Sequence, residues 1–216
     1  MKKLTLTALA TGFITCALFS HQAHATPLPP GGIVVPGPGT GQPPAGATLV
    51  ASLLNQPFST PTFSGTVSSF VYSGDPANPY GGLDFVYVIH SNSTSRDRIT
   101  RLGVGDFAGL LTDVVQNING IGSAPAIRAS RSFGNGDVID FDFTLPPGRN
   151  TYFFDVRTNG TTYHVDTLGI SDHTATSANG LLPGTGVPDG GTTVALLGIA
   201  LAGVEGVRRM FRARKT

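Results

Sequence analysis

Ile139-Asp140-Phe141-Asp142-Phe143 is the stretch that decides the fold class, because apolar and acidic side chains alternate along it without interruption. Successive side chains of a β-strand point to opposite faces of a sheet, so this pattern predicts a strand with one buried and one polar face. Residues 83–90 repeat the alternation, with Leu, Phe, Tyr and Ile on one side. The central part of the chain is therefore expected to consist of β-strands.

A turn signal lies directly before the first of these strands. Phe133-Gly134-Asn135-Gly136-Asp137 combines glycine with small polar residues, which are typical of tight turns. We expect this turn to join residues 126–132 to the strand at 139–143 as an antiparallel pair.

A second hairpin is predicted at Asn159-Gly160, the dipeptide that best suits a type I′ turn. Residues 151–158 would then pair with residues 161–168. The two-residue loop would place Val156 opposite Tyr163 and Phe154 opposite Val165, and on the other face it would place Asp155 opposite His164.

Several short strands separated by Gly, Asn and Asp turns predict an all-β fold, an antiparallel β-sandwich of jelly-roll or immunoglobulin-like type, over residues 47–175. Residues 105–115 approach a helical spacing and are expected to form at most one or two short turns. Residues 176–186 are expected to be a linker.

The N-terminus is typical of a secretory signal peptide over residues 1–25. Lys2 and Lys3 precede an apolar stretch, and Ala23-His24-Ala25 is a small-x-small cleavage site, which predicts a cut between Ala25 and Thr26. The single cysteine, Cys16, lies in the apolar stretch and would be lost with it. Residues 26–46 are rich in Pro and Gly and are expected to form an extended, poorly packed linker.

The excess of positive charge lies at the two ends of the chain. The formal net charge is +1, yet no lysine occurs between Lys3 and Lys215. Aspartate outnumbers arginine in the central body, so that body is expected to be mildly acidic. A nucleic-acid partner is not expected, because binding to nucleic acid needs a basic surface on the folded domain.

The C-terminus predicts a second targeting element. An apolar run at 192–207 follows Val187-Pro188-Asp189-Gly190-Gly191, and a basic cluster comes after it: Arg208, Arg209, Arg212, Arg214 and Lys215. An apolar helix followed by positive charge stops transfer and keeps the end cytoplasmic. The run is shorter than the roughly 20 residues of a comfortable span, which favours temporary docking over permanent anchoring.

This order of motif, helix and basic end resembles the PEP-CTERM sorting tails, in their VPDSG-CTERM form. Gly190 stands where many members have Ser. The resemblance implies that an exosortase, a membrane-embedded cysteine protease-like enzyme, recognises the tail and cleaves near the motif. It also implies an exported protein, held first as a membrane-anchored precursor and then placed in the cell envelope or outside the cell, with exopolysaccharide as a conceivable partner.

Catalytic motifs are absent from the sequence, including Gly-x-Ser-x-Gly, His-Glu-x-x-His and the P-loop. The body is therefore expected to be non-enzymatic, with no catalytic residues, no metal and no cofactor. Three groups are weaker alternatives. His164 with Asp155 and Asp166 could form a base or a metal site but is interpreted as an exposed cross-strand ion pair, and Asp172 with His173 is interpreted as solvent-exposed. Asp137, Asp140 and Asp142 could contribute oxygens to Ca²⁺, but the pattern of a calcium loop is missing.

The alternative function is a carbohydrate-binding or hydrolytic β-sandwich. The chain has no Trp for stacking on sugars, so such a module would use a groove lined by Tyr72, Tyr80 and Tyr87.

Overall fold

The computed structural model describes residues 26–117 and 122–184, and these residues form twelve β-strands and no helix. The prediction of an all-β body is confirmed. The strands are β1 (Ile33–Val34), β2 (Gly37–Pro38), β3 (Thr48–Ser59), β4 (Ser64–Ser73), β5 (Asp84–Ser91), β6 (Ile99–Val104), β7 (Thr112–Asn117), β8 (Ala126–Arg131), β9 (Ile139–Leu145), β10 (Phe153–Thr158), β11 (Tyr163–Ser171) and β12 (Ala175–Pro183). The predicted signal peptide (1–25) and sorting tail (187–216) lie outside the described residues.

The strands form two six-stranded sheets. Sheet I has the order β2-β7-β10-β5-β4-β3, and sheet II has the order β1-β8-β9-β6-β11-β12. The pairs are antiparallel except for β2 with β7, which are parallel. The sheets pack face to face, since the ring of Phe141 in sheet II stacks on Phe154 in sheet I at 5.0 Å. This is the layered arrangement of a β-sandwich.

The strand predicted at 139–143 and the hairpin predicted before it are both present, as β9 and the β8–β9 pair. In β9, Ile139, Phe141 and Phe143 are buried in the shared core, as the alternation predicted. β8 pairs with β9 in antiparallel register, with Ser130 opposite Asp140. The turn between them has a positive φ at Gly134 and at Gly136, which explains the two glycines.

The hairpin predicted at Asn159-Gly160 is wrong. β10 belongs to sheet I, where it pairs with β5 and β7, whereas β11 belongs to sheet II and pairs with β6 and β12. Residues 159–162 therefore carry the chain from one sheet to the other. Neither Asn159 nor Gly160 has the positive φ of a type I′ turn. Asn159 instead accepts a hydrogen bond from the amide of Leu111 at 2.9 Å.

The prediction of a poorly packed linker at 26–46 is also wrong. Leu28 is fully buried in the main core. Ile33–Val34 adds an edge strand to sheet II, and Gly37–Pro38 adds one to sheet I. Pro-rich composition did not prevent packing here, because proline is compatible with edge strands and extended backbone.

Residues 105–115 contain one short turn and the start of β7, in agreement with the expectation of at most one or two short turns. One further boundary differs from the prediction. The body also continues beyond 175, since β12 pairs with the whole of β11, from Ser171 opposite Ala175 to Tyr163 opposite Pro183. Residues 176–183 are therefore a strand of sheet II and not a linker.

The outer face of sheet I is covered, and this covering creates the buried site described below. On β10, Phe154 and Val156 face the main core, so the alternating Asp155 and Arg157 point outward. Residues 39–47 and the loop 74–82 lie over that face, where the amide of Gly41 donates to the side chain of Asn117 and Gln42 donates to Tyr72. A small apolar cluster of Tyr72, Val86 and Phe153 is buried there as well.

Candidate functional site

Four aspartates and one arginine meet on the covered outer face of sheet I. We call Asp75, Asp84, Asp113, Asp155 and Arg157 the buried charge cluster. The strand register brings its members together, since Arg157 on the central strand β10 lies opposite Asp84 of β5 and opposite Asp113 of β7. Each of the five residues is at most 5% exposed.

Arg157 supplies the positive charge of the cluster. Its Nε lies 3.3 Å from Oδ2 of Asp75 and 3.7 Å from Oδ2 of Asp155. Its Nη1 lies 3.5 Å from Oδ2 of Asp113. These distances are those of ion pairs rather than of tight, bidentate hydrogen bonds.

Asn78 anchors the remaining carboxyl group. Its side-chain amide donates to Oδ1 of Asp84 at 2.7 Å and to the carbonyl oxygen of Thr158 at 3.0 Å. The loop 74–82 that carries Asn78 is pressed against the connection after β10. A Cβ at Gly82 would lie 2.5 Å from the carbonyl oxygen of Gly160, so only glycine fits there.

The cluster holds more carboxyl groups than one guanidinium neutralises, and burial shifts their protonation. Burial and the neighbouring carboxylates raise the pKa of Asp84 to about 9. Burial raises the pKa of Asp155 to about 7, although the charge of Arg157 opposes the shift. Asp84 is therefore neutral at pH 7, which lowers the electrostatic cost of placing these groups together.

Among the described residues, two sets bring potential metal-ligating atoms within 4.8 Å of one another. In the first, Asp75, Asp84 and Asp155, the guanidinium of Arg157 already provides the cation at the ion-pair distances given above. The second set, Asp106, His164 and Asp166, is partly exposed. Its shortest contact joins Nε2 of His164 to Oδ2 of Asp106 at 3.1 Å.

The predicted grouping of His164 with Asp155 is wrong. Asp155 lies buried in sheet I, whereas His164 lies on sheet II with its side chain 40% exposed. Asp166 is near His164, at 3.7 Å, as predicted. The sequence did not indicate the third member, Asp106, because it comes from a loop far away in the chain.

The other two acidic candidates are engaged in surface contacts. Asp172 accepts hydrogen bonds from His173 at 2.8 Å and from Thr100 at 3.1 Å, and the side chain of His173 is 90% exposed. Asp142 lies between two cross-strand partners, Arg101 at 2.9 Å and Arg128. The carboxylate of Asp142 is thus already paired with positive charge, and the sets of potential metal-ligating residues found among the described residues do not include Asp137, Asp140 and Asp142.

The three tyrosines do not form a groove. Tyr87 is fully buried between the sheets, where its hydroxyl donates to the carbonyl oxygen of Leu181 at 2.9 Å. Tyr72 is 5% exposed and accepts a hydrogen bond from Gln42 at 2.7 Å. A sugar could not stack on these two rings, so the proposed tyrosine platform is not present.

A surface depression lies elsewhere, on the outer face of sheet II. It has a volume of about 550 Å³ and is lined by Arg101, Arg128, Asp142 and Ile127, among others. Both arginines contact Asp142 across the strands, so a single carboxylate is shared between two half-exposed guanidinium groups on the floor of the depression.

Sequence reasoning did not find the buried charge cluster. One signal was available, because Asp155 and Arg157 alternate with Phe154 and Val156 in a strand that proves to be buried throughout. A charged pair in such an apolar stretch is compatible with a strand covered on both faces. The identity of the covering segments could not be deduced, since they come from distant parts of the chain.

Comparison with known proteins adds one finding. The described body is a layered all-β domain, and residues 186–211, beyond it, match the family model described as the VPDSG-CTERM motif. The chain therefore carries a sorting motif of the PEP-CTERM type, as the sequence predicted. The match includes Val187–Gly191 and the first basic residues, Arg208 and Arg209. No curated protein and no solved structure gives a significant match.

Within residues 26–117 and 122–184, no helix is long and apolar enough to cross a membrane. The predicted spanning segment, 192–207, lies outside these residues.

Proposed function

We propose that this chain is an exported protein of the cell envelope or extracellular matrix, which an exosortase recognises through Val187–Gly191 and cleaves near that motif. The observation that carries the proposal is the match of residues 186–211 to the VPDSG-CTERM motif. The finer parts of the proposal are the signal peptide at 1–25, the membrane helix at 192–207 and the cleavage itself.

The order of the segments supports a sequence of events. Cleavage after Ala25 would release the N-terminus during export. The apolar run at 192–207, followed by Arg208, Arg209, Arg212, Arg214 and Lys215, would then hold the body outside the membrane. Because the run is short for a span, the docked state would be temporary and would suit transfer to a processing enzyme.

The body is proposed to be non-enzymatic. In support, the guanidinium of Arg157 occupies the centre of the buried charge cluster, and two arginines pair with Asp142 on sheet II. These acidic groups hold strands together. The delivered body would then act through its surface and its stability.

Intact-mass measurement of the envelope-associated protein tests the proposal. We expect a species that begins at Thr26 and has lost the residues after the Val187–Gly191 region, including Arg208 onward. Pro188→Ala should cause the unprocessed tail to accumulate. The matched control is Pro146→Ala, a change at an exposed proline of the body, which should leave processing unaltered.

A mature protein that keeps Arg208 onward would contradict the proposal, because the tail would then act as a permanent anchor. Equal processing of the Pro188→Ala and Pro146→Ala variants would show that the enzyme does not recognise the chain through this motif.

A further inference from the structure

Thr26 is attached to the buried charge cluster through its main chain. Its amide nitrogen donates to Oδ1 of Asp113, whose other oxygen, Oδ2, lies 3.5 Å from Arg157. The carbonyl oxygen of Thr26 accepts a hydrogen bond from the amide of Val114 at 3.1 Å, and Pro27 forms a β-bridge with Asp113. The first described residue of the chain is therefore fixed against β7 beside a buried carboxylate.

The cluster holds more carboxyl groups than cations. Four carboxyl groups surround the guanidinium of Arg157. At pH 7 Asp84, with a pKa of about 9, is neutral, and Asp155, with a pKa of about 7, keeps only part of its charge. One guanidinium then faces Asp75, Asp113 and Asp155. Buried charges are stable only when they are paired, so a second cation at this place would stabilise the fold.

The predicted signal cleavage would create such a cation. Hydrolysis of the Ala25–Thr26 peptide bond consumes one water, leaves the carboxylate on Ala25 and gives the amine to Thr26, where it takes up a proton. The nitrogen that donates to Asp113 as a neutral amide in the uncut chain would become an α-ammonium. Hydrogen bonds from a charged donor to a carboxylate are about twice as strong as those between neutral groups.

We propose that the α-ammonium of Thr26, generated by removal of residues 1–25, is the second cation of the buried charge cluster and forms an ion pair with Asp113. This inference rests on the export step of the proposed function. Signal cleavage would then be part of folding as well as of sorting, since it completes the charge balance of the cluster and holds Thr26 against β7 of sheet I.

The test compares two chains that differ by one residue at the N-terminus. A fusion partner that is removed directly before the desired residue yields Thr26–Thr216 and Ala25–Thr216, both studied in the same detergent micelles. We expect the chain that starts at Thr26 to melt about 3–6 °C higher, an increment typical of one strong ion pair in a domain of this size. One extra residue moves the ammonium by up to about 3.6 Å and removes this gain.

Two variants make the comparison specific. Asp113→Asn should abolish the difference between the two chains, whereas Asp97→Asn, at an exposed aspartate, should leave it unchanged. A second readout is the acylation rate of the α-amine at pH 7.5. In the chain that starts at Thr26 this rate should be at least about tenfold slower than in its Asp113→Asn variant, because a buried ion pair keeps the amine protonated.

Equal melting temperatures and equal acylation rates would overturn the inference. A native N-terminus other than Thr26, found by mass analysis of the exported protein, would overturn it too, even if the sorting tail is processed as proposed. The opposite result is also distinguishable. If the mature protein keeps its tail but the acylation rate of its Thr26 amine changes in Asp113→Asn, the proposed sorting is refuted and the ion pair is supported.

Discussion

Asp84 shows how burial turns a surface-type residue into a structural one. Its carboxyl group is fully buried, and the pKa of Asp84 is about 9 against 3.8 in its ordinary state. A group with a raised pKa binds its proton more tightly in the folded than in the unfolded chain. Its contribution to the free energy of unfolding is complete at low pH and is lost as the pH rises through the folded pKa.

We therefore expect the protein to become less stable between pH 4 and pH 9. The titration of Asp155 contributes to this decrease in stability up to about pH 7, and the titration of Asp84 contributes to it up to about pH 9. Asp84→Asn replaces the neutral carboxyl group by a neutral amide whose oxygen can still accept the hydrogen bond from Asn78. In this variant the free energy of unfolding should therefore change little between pH 7 and pH 9, whereas in the parent protein it should fall by on the order of 2 kcal/mol over that range.

Urea unfolding at a series of pH values measures this effect. Asp97→Asn is the matched control, because Asp97 is exposed and its replacement should leave the slope of stability against pH as in the parent protein. A parallel pH profile for Asp84→Asn and the parent would contradict the assignment of Asp84 as a buried, protonated group.

At the residue scale the sequence predicted which side chains alternate but not which face is covered. The alternation correctly placed Asp84 and Phe85 on different faces of their strand, and likewise Asp155 and Phe154. It then suggested solvent for the polar face, because one-sided burial is the common case for antiparallel sheets. Loop 74–82 and residues 39–47 cover that face instead, and their docking depends on contacts between distant parts of the chain.

The N-terminal segment is the element whose role changes most between sequence and structure. Its amide at Leu28 donates to Thr112 at 2.9 Å, and the carbonyl oxygen of Leu28 accepts from Thr112 at 2.7 Å and from Arg131 at 3.1 Å. The Leu28 side chain is fully buried. Residues 26–46 therefore belong to the folded body.

Leu28→Ala should lower the free energy of unfolding by about 2–5 kcal/mol, since it opens a cavity in the core. Val35→Ala, in the same segment but 69% exposed, should change it by less than about 0.5 kcal/mol. Chemical denaturation of the two variants gives both numbers. If 26–46 were a loose linker, the two substitutions would be equally neutral.

The two hairpin predictions differ in outcome for a physical reason. The β8–β9 hairpin needs only a local turn, and its two glycines with positive φ determine it. The dipeptide Asn159-Gly160 allows a type I′ turn but does not require one. β10 finds two partners in β5 and β7, and pairing on both sides in the middle of sheet I outweighs the local preference of the turn.

At the scale of the molecule, the folded body and the sorting motif are separate parts of the chain. β12 ends at Pro183 on the edge of sheet II, and the matched motif begins at residue 186. The motif could have been found from sequence alone, because its information is linear, whereas the buried charge cluster required the fold.

This separation predicts that the tail works without its body. Residues 184–216 joined to an unrelated exported carrier should lead to processing of that carrier in cells that contain an exosortase and not in cells from which the enzyme has been deleted. The tail with Arg208, Arg209, Arg212, Arg214 and Lys215 changed to Gln should let the carrier pass through unprocessed, since the stop-transfer charge is gone. Immunoblots of membrane and medium fractions distinguish these outcomes. The prediction is contradicted if the carrier with the native tail stays unprocessed under conditions where the native protein is cleaved. The enzyme would then also recognise the folded body, and sheet II, which ends in β12 directly before the tail, would be the surface to examine.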